Sequence, residues 1–296
     1  MKNTILVLLA VCAALASASP RADDSRSPKG HLVIIGGGER TDDIMNRFVA
    51  LAGGPGKAHI IVLSMASSTP DTTGMEQAAE LISRGAASAE WMDIKREQAA
   101  DPAILEKLDK ATGIFFSGGD QVRVTRAILG TPVHHKLLDM YQRGAVIGGT
   151  SAGAAIMSRV MLTGEELINR DSTEMFTSMR KGNVETIEGL GFLTKVIIDQ
   201  HFVKRKRLNR LICVVLEHPE LPAIGIDEST AILVNPDGTA EVMGQGTVVV
   251  LDARAARAIH PDMHGNFSAR GILMRLVAPG ETFRLEHPEE SGPPPR

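Results

Sequence analysis

Two hydrophobic rhythms alternate along the chain. Short, nearly unbroken apolar runs recur in HLVIIGGGE, HIIVLSMASS, GIFFSGGDQ, AVIGGTSAGAAI and TKVIIDQHF, and each stops at small or polar residues. Between them lie segments with apolar positions at helical spacing. In TDDIMNRFVALAG, Thr41 or Asp42 supplies the cap and Gly53-Gly54 the stop; DTTGMEQAAELISRGA, DPAILEKLDKA, VHHKLLDMYQRG and RKRLNRLICVVLEH follow the same pattern. WMDI adds a short third strand. Continuous β-branched strands alternating with helices predict a parallel sheet covered on both faces.

The rhythm changes twice. From Gly164 to Gly189 the chain is polar and poorly periodic, which reads as a long loop or excursion near a site. After Leu221 short strands separated by turns take over, with Asn235-Pro236-Asp237-Gly238 as a hairpin turn. No internal repeat is present, so residues 31–285 read as a single α/β domain. The Pro-rich tail, 286–296, reads as disordered.

The N-terminus has a different character. Lys2 precedes an apolar run from Ile5 to Leu15, and Ala16-Ser17-Ala18 offers small residues for cleavage before Ser19. Residues 1–18 therefore read as a secretory signal peptide, and 19–30 as a flexible leader. A lipoprotein signal ending at Cys12 is disfavoured by the bulky Val11 before it. The expectation is an exported protein, periplasmic or extracellular, with no membrane segment after cleavage. Cys213 is then the lone cysteine, in the apolar run LICVVL, so stability rests on the core rather than on a disulfide. A formal charge of −3 gives no cationic excess for a polyanion, and 3% aromatic content leaves little for stacking on nucleic acid.

Chemistry concentrates at the strand ends. Gly149-Thr150-Ser151-Ala152-Gly153 fits G-x-S-x-G between a strand and a helix, the setting of a nucleophile elbow. Small neighbours let the backbone turn tightly there and raise the hydroxyl above the sheet edge. A serine needs a base. His134 and His135 are adjacent on a helix and face different ways, and Pro261 disfavours a helical metal pair between His260 and His264. His201 follows an apolar strand and Asp199-Gln200, at the end where open α/β sheets place ligands. Next come Lys204, Arg205, Lys206, Arg207 and Arg210, opening a helix that ends in Glu217. Such charges oppose the helix dipole at about 0.3–1 kcal/mol each when exposed. They suggest an anion-binding mouth beside His201, against the plainer reading of a solvated basic stretch. SGGDQ offers amides for a second oxyanion donor and Gln121 for a substrate amide. GGGE lacks both G-x-G-x-x-G and the P-loop Lys-Ser pair, so its glycines read as close packing at the sheet edge rather than a nucleotide site.

GGGE, FSGGDQ, GGTSAGA, DQHF followed by R-x-R-x-x-R, and GIDEST occur in this order over roughly residues 30–255. Together they resemble the cyanophycinases of serine peptidase family S51, relatives of aspartyl dipeptidase, and the signal peptide matches the extracellular type. The resemblance implies a three-layer α/β sandwich with a mostly parallel central sheet, like class I glutamine amidotransferases, with short antiparallel C-terminal strands. It implies Ser151 as nucleophile, His201 as base and then acid, and Glu228 as third member, with Asp227 beside it as a competing carboxylate. Backbone amides of Gly119 and Ala152 would form the oxyanion hole. Gln121, Asp199, Gln200, Arg205, Arg207 and Arg210 match substrate-binding positions. Asp199 or Glu165-Glu166 would receive a guanidinium.

The implied activity is release of β-Asp-Arg dipeptides from multi-L-arginyl-poly-L-aspartate through an acyl-enzyme, without metal or other cofactor, by a homodimer. Three alternatives stand beside it. One is an S51 peptidase acting on Asp-X or isoaspartyl dipeptides. Another is an α/β-hydrolase esterase using Ser151, Asp227 and His260. The last is a non-catalytic exported binding protein.

Overall fold

The first strand, β1 (Leu32–Ile35), is apolar at all four positions because both of its faces are covered. Leu32 and Ile34 enter one buried cluster, Val33 and Ile35 another. The structure, a computed structural model, describes residues 27–168 and 176–286. The expected signal peptide, residues 19–26 of the leader and the tail beyond Glu286 lie outside the described residues.

The chain continues through α1 (Asp42–Leu51), β2 (His59–Leu63), α2 (Pro70–Ser83), β3 (Ser88–Met92) and α3 (Pro102–Asp109). Then come β4 (Gly113–Phe116), α4 (Gln121–Ile128), α5 (Pro132–Arg143), β5 (Val146–Thr150) and the one-turn α6 (Ala152–Ala155). β6 (Val160–Glu166) and β7 (Val184–Glu188) pair as an antiparallel ribbon, giving partial order to the segment expected as a loop. β8 (Ile197–Asp199), α7 (Leu208–Glu217) and β9 (Ala223–Ile226) return to the body of the fold. β10 (Thr230–Val234), β11 (Thr239–Gly244), β12 (Val248–Asp252), β13 (Arg257–Pro261), β14 (Phe267–Arg270), β15 (Leu273–Val277) and β16 (Thr282–Arg284) complete it.

The central sheet has eight strands in the order β16-β11-β10-β1-β5-β4-β2-β3. β1, β5, β4, β2 and β3 are mutually parallel, while β10, β11 and β16 extend the sheet antiparallel. A second sheet, β15-β12-β9-β8, packs beside it with β8 and β9 parallel. Ile44, Met45 and Phe48 of α1 and Leu81 of α2 cover one face of the central sheet. Side chains of α4, α5 and the inner face of the second sheet cover the other. Leu211, Val214 and Val215 of α7 close the outer face of that second sheet. The fold is thus α/β with a mostly parallel core; the C-terminal strands divide between these two sheets and a separate antiparallel hairpin, β13–β14.

Three local features depart from the periodicity. α4 carries Gln121 and Thr125 on its buried face with Val124 and Ile128, and those polar residues hide its apolar stripe. Lys204 to Arg207 precede α7 as turns instead of opening it, with Arg207 at the cap position. Gly148 is bare because Phe48 and Phe115 fill its place, a Cβ there lying 2.7 Å from Phe48; their edge-on ring pair is worth about 0.5–1.5 kcal/mol beyond burial. The turn at Asn235–Gly238 joins β10 to β11 as expected, with the Thr239 carbonyl accepting from Asn235 N–H at 2.8 Å.

Candidate active site

The carboxyl ends of β1, β4 and β5 lie side by side in the central sheet, and those of β8 and β9 meet them from the second. Ligands of open α/β sheets bind at this kind of rim. β5 ends at Thr150, and the chain turns straight into α6 with Ser151 at φ 55°, ψ −109°. A residue bearing a Cβ in so sparsely populated a region carries about 1–3 kcal/mol of strain. Its neighbours make the turn possible. A Cβ at Gly149 would overlap the Gly153 carbonyl, and one at Gly153 would sit 2.5 Å from the Phe116 carbonyl oxygen.

The glycine loop after β1 binds the rest together. Ser151 N–H donates to the Ile35 carbonyl at 3.0 Å, His201 N–H to Gly36 at 2.7 Å and Ser229 N–H to Gly37 at 2.8 Å. Three successive carbonyls therefore hold the backbone at 151, at 201 and just after 228. The glycines also make room. At Gly37 (φ +115°) a Cβ would run into the His201 ring, and at Gly38 (φ +69°) it would lie 2.8 Å from Glu228 Cβ. In the sequence these glycines read as edge packing, and the run of three beside a strand end is the one signal of this further role.

Ser151 Oγ lies 2.8 Å from His201 Nε2, and His201 Nδ1 lies 2.7 Å from Glu228 Oε1. With the imidazole neutral, Nδ1–H donates to the carboxylate and Nε2 accepts from the hydroxyl. Burial is the main cause holding His201 below the ordinary imidazole value; the Glu228 hydrogen bond raises it and the Arg205 and Arg207 charges lower it. The hydrogen bond from His201 holds the Glu228 carboxyl below its usual range. Such a set keeps a proton acceptor on the serine at neutral pH. Asp227 turns elsewhere, accepting from Lys204 N–H at 2.8 Å. His260 is exposed on the β13–β14 hairpin, so Ser151 has His201 and not His260 as its partner.

Gly118 borders the hydroxyl, a Cβ there lying 3.9 Å from Ser151 Oγ. The next residue, Gly119, is exposed, and Ala152 begins α6. Among the described residues, neither the Gly119 nor the Ala152 amide donates to a backbone carbonyl.

The polar residues expected to meet substrate divide into two groups. Gln200 and Arg207 sit together at the rim, Arg207 Nη1 donating to the Gln200 carbonyl at 2.7 Å and to its side-chain oxygen at 2.6 Å. Desolvation, reinforced by Arg210, lowers Arg207 to about 10, which leaves it cationic at neutral pH. Arg205 is exposed.

Asp199, Arg210 and Gln121 are placed differently from expectation. Asp199 and Arg210 are each 1% exposed and close a two-pronged ion pair, with Arg210 Nε to Asp199 Oδ2 at 2.8 Å. The guanidinium also stacks over Phe176, 5.4 Å from the ring centre. An isolated buried charge is so costly that these two satisfy each other instead of waiting for a ligand. Gln121 spends its amide N–H groups on the carbonyls of Leu162 (2.9 Å) and Thr163 (2.6 Å), holding the start of the β6–β7 ribbon. Glu166 is buried too, accepting from Phe176 N–H at 2.8 Å and Asn183 Nδ2 at 2.6 Å, which leaves Glu165 as the exposed acid of that pair.

Among the described residues, no three His, Cys, Asp or Glu side chains group to hold a metal ion, and no helix is long and apolar enough to cross a membrane. A cavity of about 460 Å³ between Phe192, Asn235 and Arg284 lies at the amino end of β1, away from Ser151. Cys213 is buried, and burial pushes its thiol up to about 12.

The family model for peptidase family S51 matches residues 32–242. The cyanophycinase of Synechococcus elongatus is 33% identical over 268 residues, spanning 87% of this chain and 80% of its own. That of Geminocystis herdmanii (strain PCC 6308) is 35% identical over 250 residues, with coverage of 83% and 88%. Among solved structures, a peptidase from an acI-B1 actinobacterium superposes with a TM-score of 0.64 at 22% identity, covering 87% of this chain and 98% of its own. That last likeness concerns the fold.

Proposed function

The chain belongs to peptidase family S51 and is a serine-type peptidase; from that premise we propose that it is an exported exopeptidase releasing β-Asp-Arg dipeptides from cyanophycin. The observation that carries the reading is the unbroken relay from Glu228 through His201 to Ser151, at 2.7 and 2.8 Å. Ser151 Oγ attacks the scissile carbonyl carbon as His201 Nε2 takes its proton. The carbon–nitrogen bond then breaks, and His201 returns the proton to the leaving amine. Water attacks the resulting Ser151 ester by the reverse route, giving its proton to His201 and freeing the acid and the serine. Glu228 holds the ring's tautomer and offsets the charge that forms on it. The amides of Gly119 and Ala152 receive the oxyanion; a lost oxyanion donor costs about 10²–10³ in rate.

Each unit of this polymer carries one free carboxylate and one guanidinium. Arg205 and Arg207, with Gln200, take the carboxylate at the rim. The buried Asp199–Arg210 pair and Gln121 support that rim from beneath, while Glu165 offers an acid to the guanidinium. Residues 1–18 direct export, and the mature chain begins at Ser19 and pairs as a homodimer; N-terminal sequencing and size-exclusion chromatography of the exported protein test both statements.

The deciding assay is clearing of insoluble cyanophycin, with dipeptide detected by mass. Ser151→Ala lowers turnover about 10⁴–10⁶-fold, the range for loss of a triad serine. Undiminished clearing by that variant overturns the reading. Faster turnover of short Asp-X peptides than of polymer transfers the chain to dipeptidase action.

A further inference from the structure

A second groove, of about 480 Å³, opens beyond the carboxyl ends of β2 and β3. It is joined to the site through a short run of contacts. Gly118 borders Ser151, Asp120 N–H donates to the Ala66 carbonyl at 2.9 Å, and Arg123 Nη1 donates to the Ser67 carbonyl at 3.1 Å. Ser67 and Arg123 both line the groove. The groove therefore adjoins the loop that carries Gly119.

Its charge is unevenly spent. Lys95, Arg96, Arg123 and Arg126 line it against Asp93 and Glu97. Lys95 is tied to Asp93 at 2.5 Å, and Arg96 donates to the Leu129 carbonyl at 2.6 Å. Arg123 has a loose contact with Asp120 at 3.8 Å and is half exposed. Arg126 is exposed, and among the described residues neither its side chain nor that of Glu97 has a hydrogen-bonding or ionic partner. Arg123 and Arg126 stand three apart on α4, so their side chains neighbour each other on one helix face. An unpartnered guanidinium on Arg126, a half-exposed second one on Arg123 that keeps donors beyond its Ser67 bond, and a free carboxylate on Glu97 complement a chain whose repeat bears a carboxylate and a guanidinium.

Resting on the polymer reading above, we infer that this groove is an extended subsite for the part of the polymer beyond the cleaved unit, with Arg123 and Arg126 taking carboxylates and Glu97 a guanidinium. Carboxylate recognition by neighbouring arginines gives orientation and capture, and its contribution falls with added salt. Sites of this kind distinguish a long substrate from a short one without touching the reacting atoms.

The test uses Ser151→Ala protein and insoluble cyanophycin in a co-sedimentation assay. Adding Arg126→Glu weakens binding about tenfold, as expected for reversing an interface charge. Lys57→Glu, an equal charge change on an exposed residue before β2, leaves binding within about twofold. In the active protein, Arg126→Gln lowers the ratio of kcat/KM for polymer over a two-unit fragment about threefold or more, and circular dichroism verifies that both Arg126 variants are folded. Polymer turnover by the wild type together with unchanged binding and an unchanged ratio in folded variants overturns the groove alone. No polymer turnover by the wild type overturns the underlying reading instead.

Discussion

Gly37→Ala is the sharpest probe of how the site is built, because its two consequences separate. At φ +115°, alanine occupies a backbone region suited to glycine, with an expected strain of about 1–3 kcal/mol. For a domain of this size that corresponds to roughly 2–4 °C in Tm per kcal/mol. The methyl group would also enter the space of the imidazole, with its Cβ 2.5 Å from His201 Nε2 and 2.7 Å from Nδ1. Neither approach is tolerable, so the ring must withdraw by about 1 Å. That breaks both the 2.8 Å contact with Ser151 and the 2.7 Å contact with Glu228. A displacement of 1 Å costs on the order of 10² in rate.

Strain alone does neither of these things to the ring, which Gly130→Ala makes measurable. Gly130 has φ +71° and open space where its Cβ would be. It should lose about 1 kcal/mol of stability and keep its turnover. Steady-state kcat on cyanophycin and thermal melts of both variants form the assay. The reasoning fails if Gly37→Ala keeps kcat within about twofold of wild type, or if Gly130→Ala loses as much activity as Gly37→Ala.

Further outcomes follow from the charges around the site. Asp199→Asn strands the Arg210 guanidinium in the interior and should cost about 3–5 kcal/mol, read by thermal or urea unfolding; a cost under about 1 kcal/mol with a raised KM would return Asp199 to direct substrate contact. Because burial outweighs Glu228 in holding His201 below 6.5, the acid limb of kcat/KM should have its midpoint below 6.5. Arg205→Gln removes a nearby positive charge and should move that midpoint up; a wild-type midpoint above about 7, or a downward move in the variant, contradicts the assignment. The depressed His201 and Glu228 values act in the same direction on folding. The unfolded chain binds those protons more readily, so stability falls as pH drops through both groups.

The alternation of strands and helices was legible because a parallel sheet buried on both faces demands unbroken apolar runs, as in Leu32–Ile35. Ser151 was legible for a related reason: its tight turn excludes side chains at Gly149 and Gly153, and that exclusion is written as glycine. Other elements were hidden by the chemistry that makes them useful. The periodicity of α4 is masked because Gln121 faces inward to hold the β6 carbonyls. The basic run before α7 looked like one anion-binding surface, yet Arg210 is buried on Asp199, Arg207 is turned to Gln200, and Arg205 is exposed. Charge count along a chain does not reveal which opposite charge, eleven residues away or across a turn, each one meets inside the fold.

The carbonyls of Ile35, Gly36 and Gly37 show why the site needs β1 as much as the strands that carry its side chains. β5 delivers Ser151 from the central sheet, while β8 and β9 deliver His201 and Glu228 from the second sheet. Two packed sheets can slide relative to each other more easily than two paired strands can, since apolar contact is non-directional. A peptide loop that accepts one hydrogen bond from the first sheet's turn and two from the second sheet's turns fixes that relation directionally. It works only if the loop itself occupies almost no volume where it packs against the Ile226 and Asp227 carbonyls, the imidazole and the Glu228 side chain, the positions faced in turn by Gly36, Gly37 and Gly38.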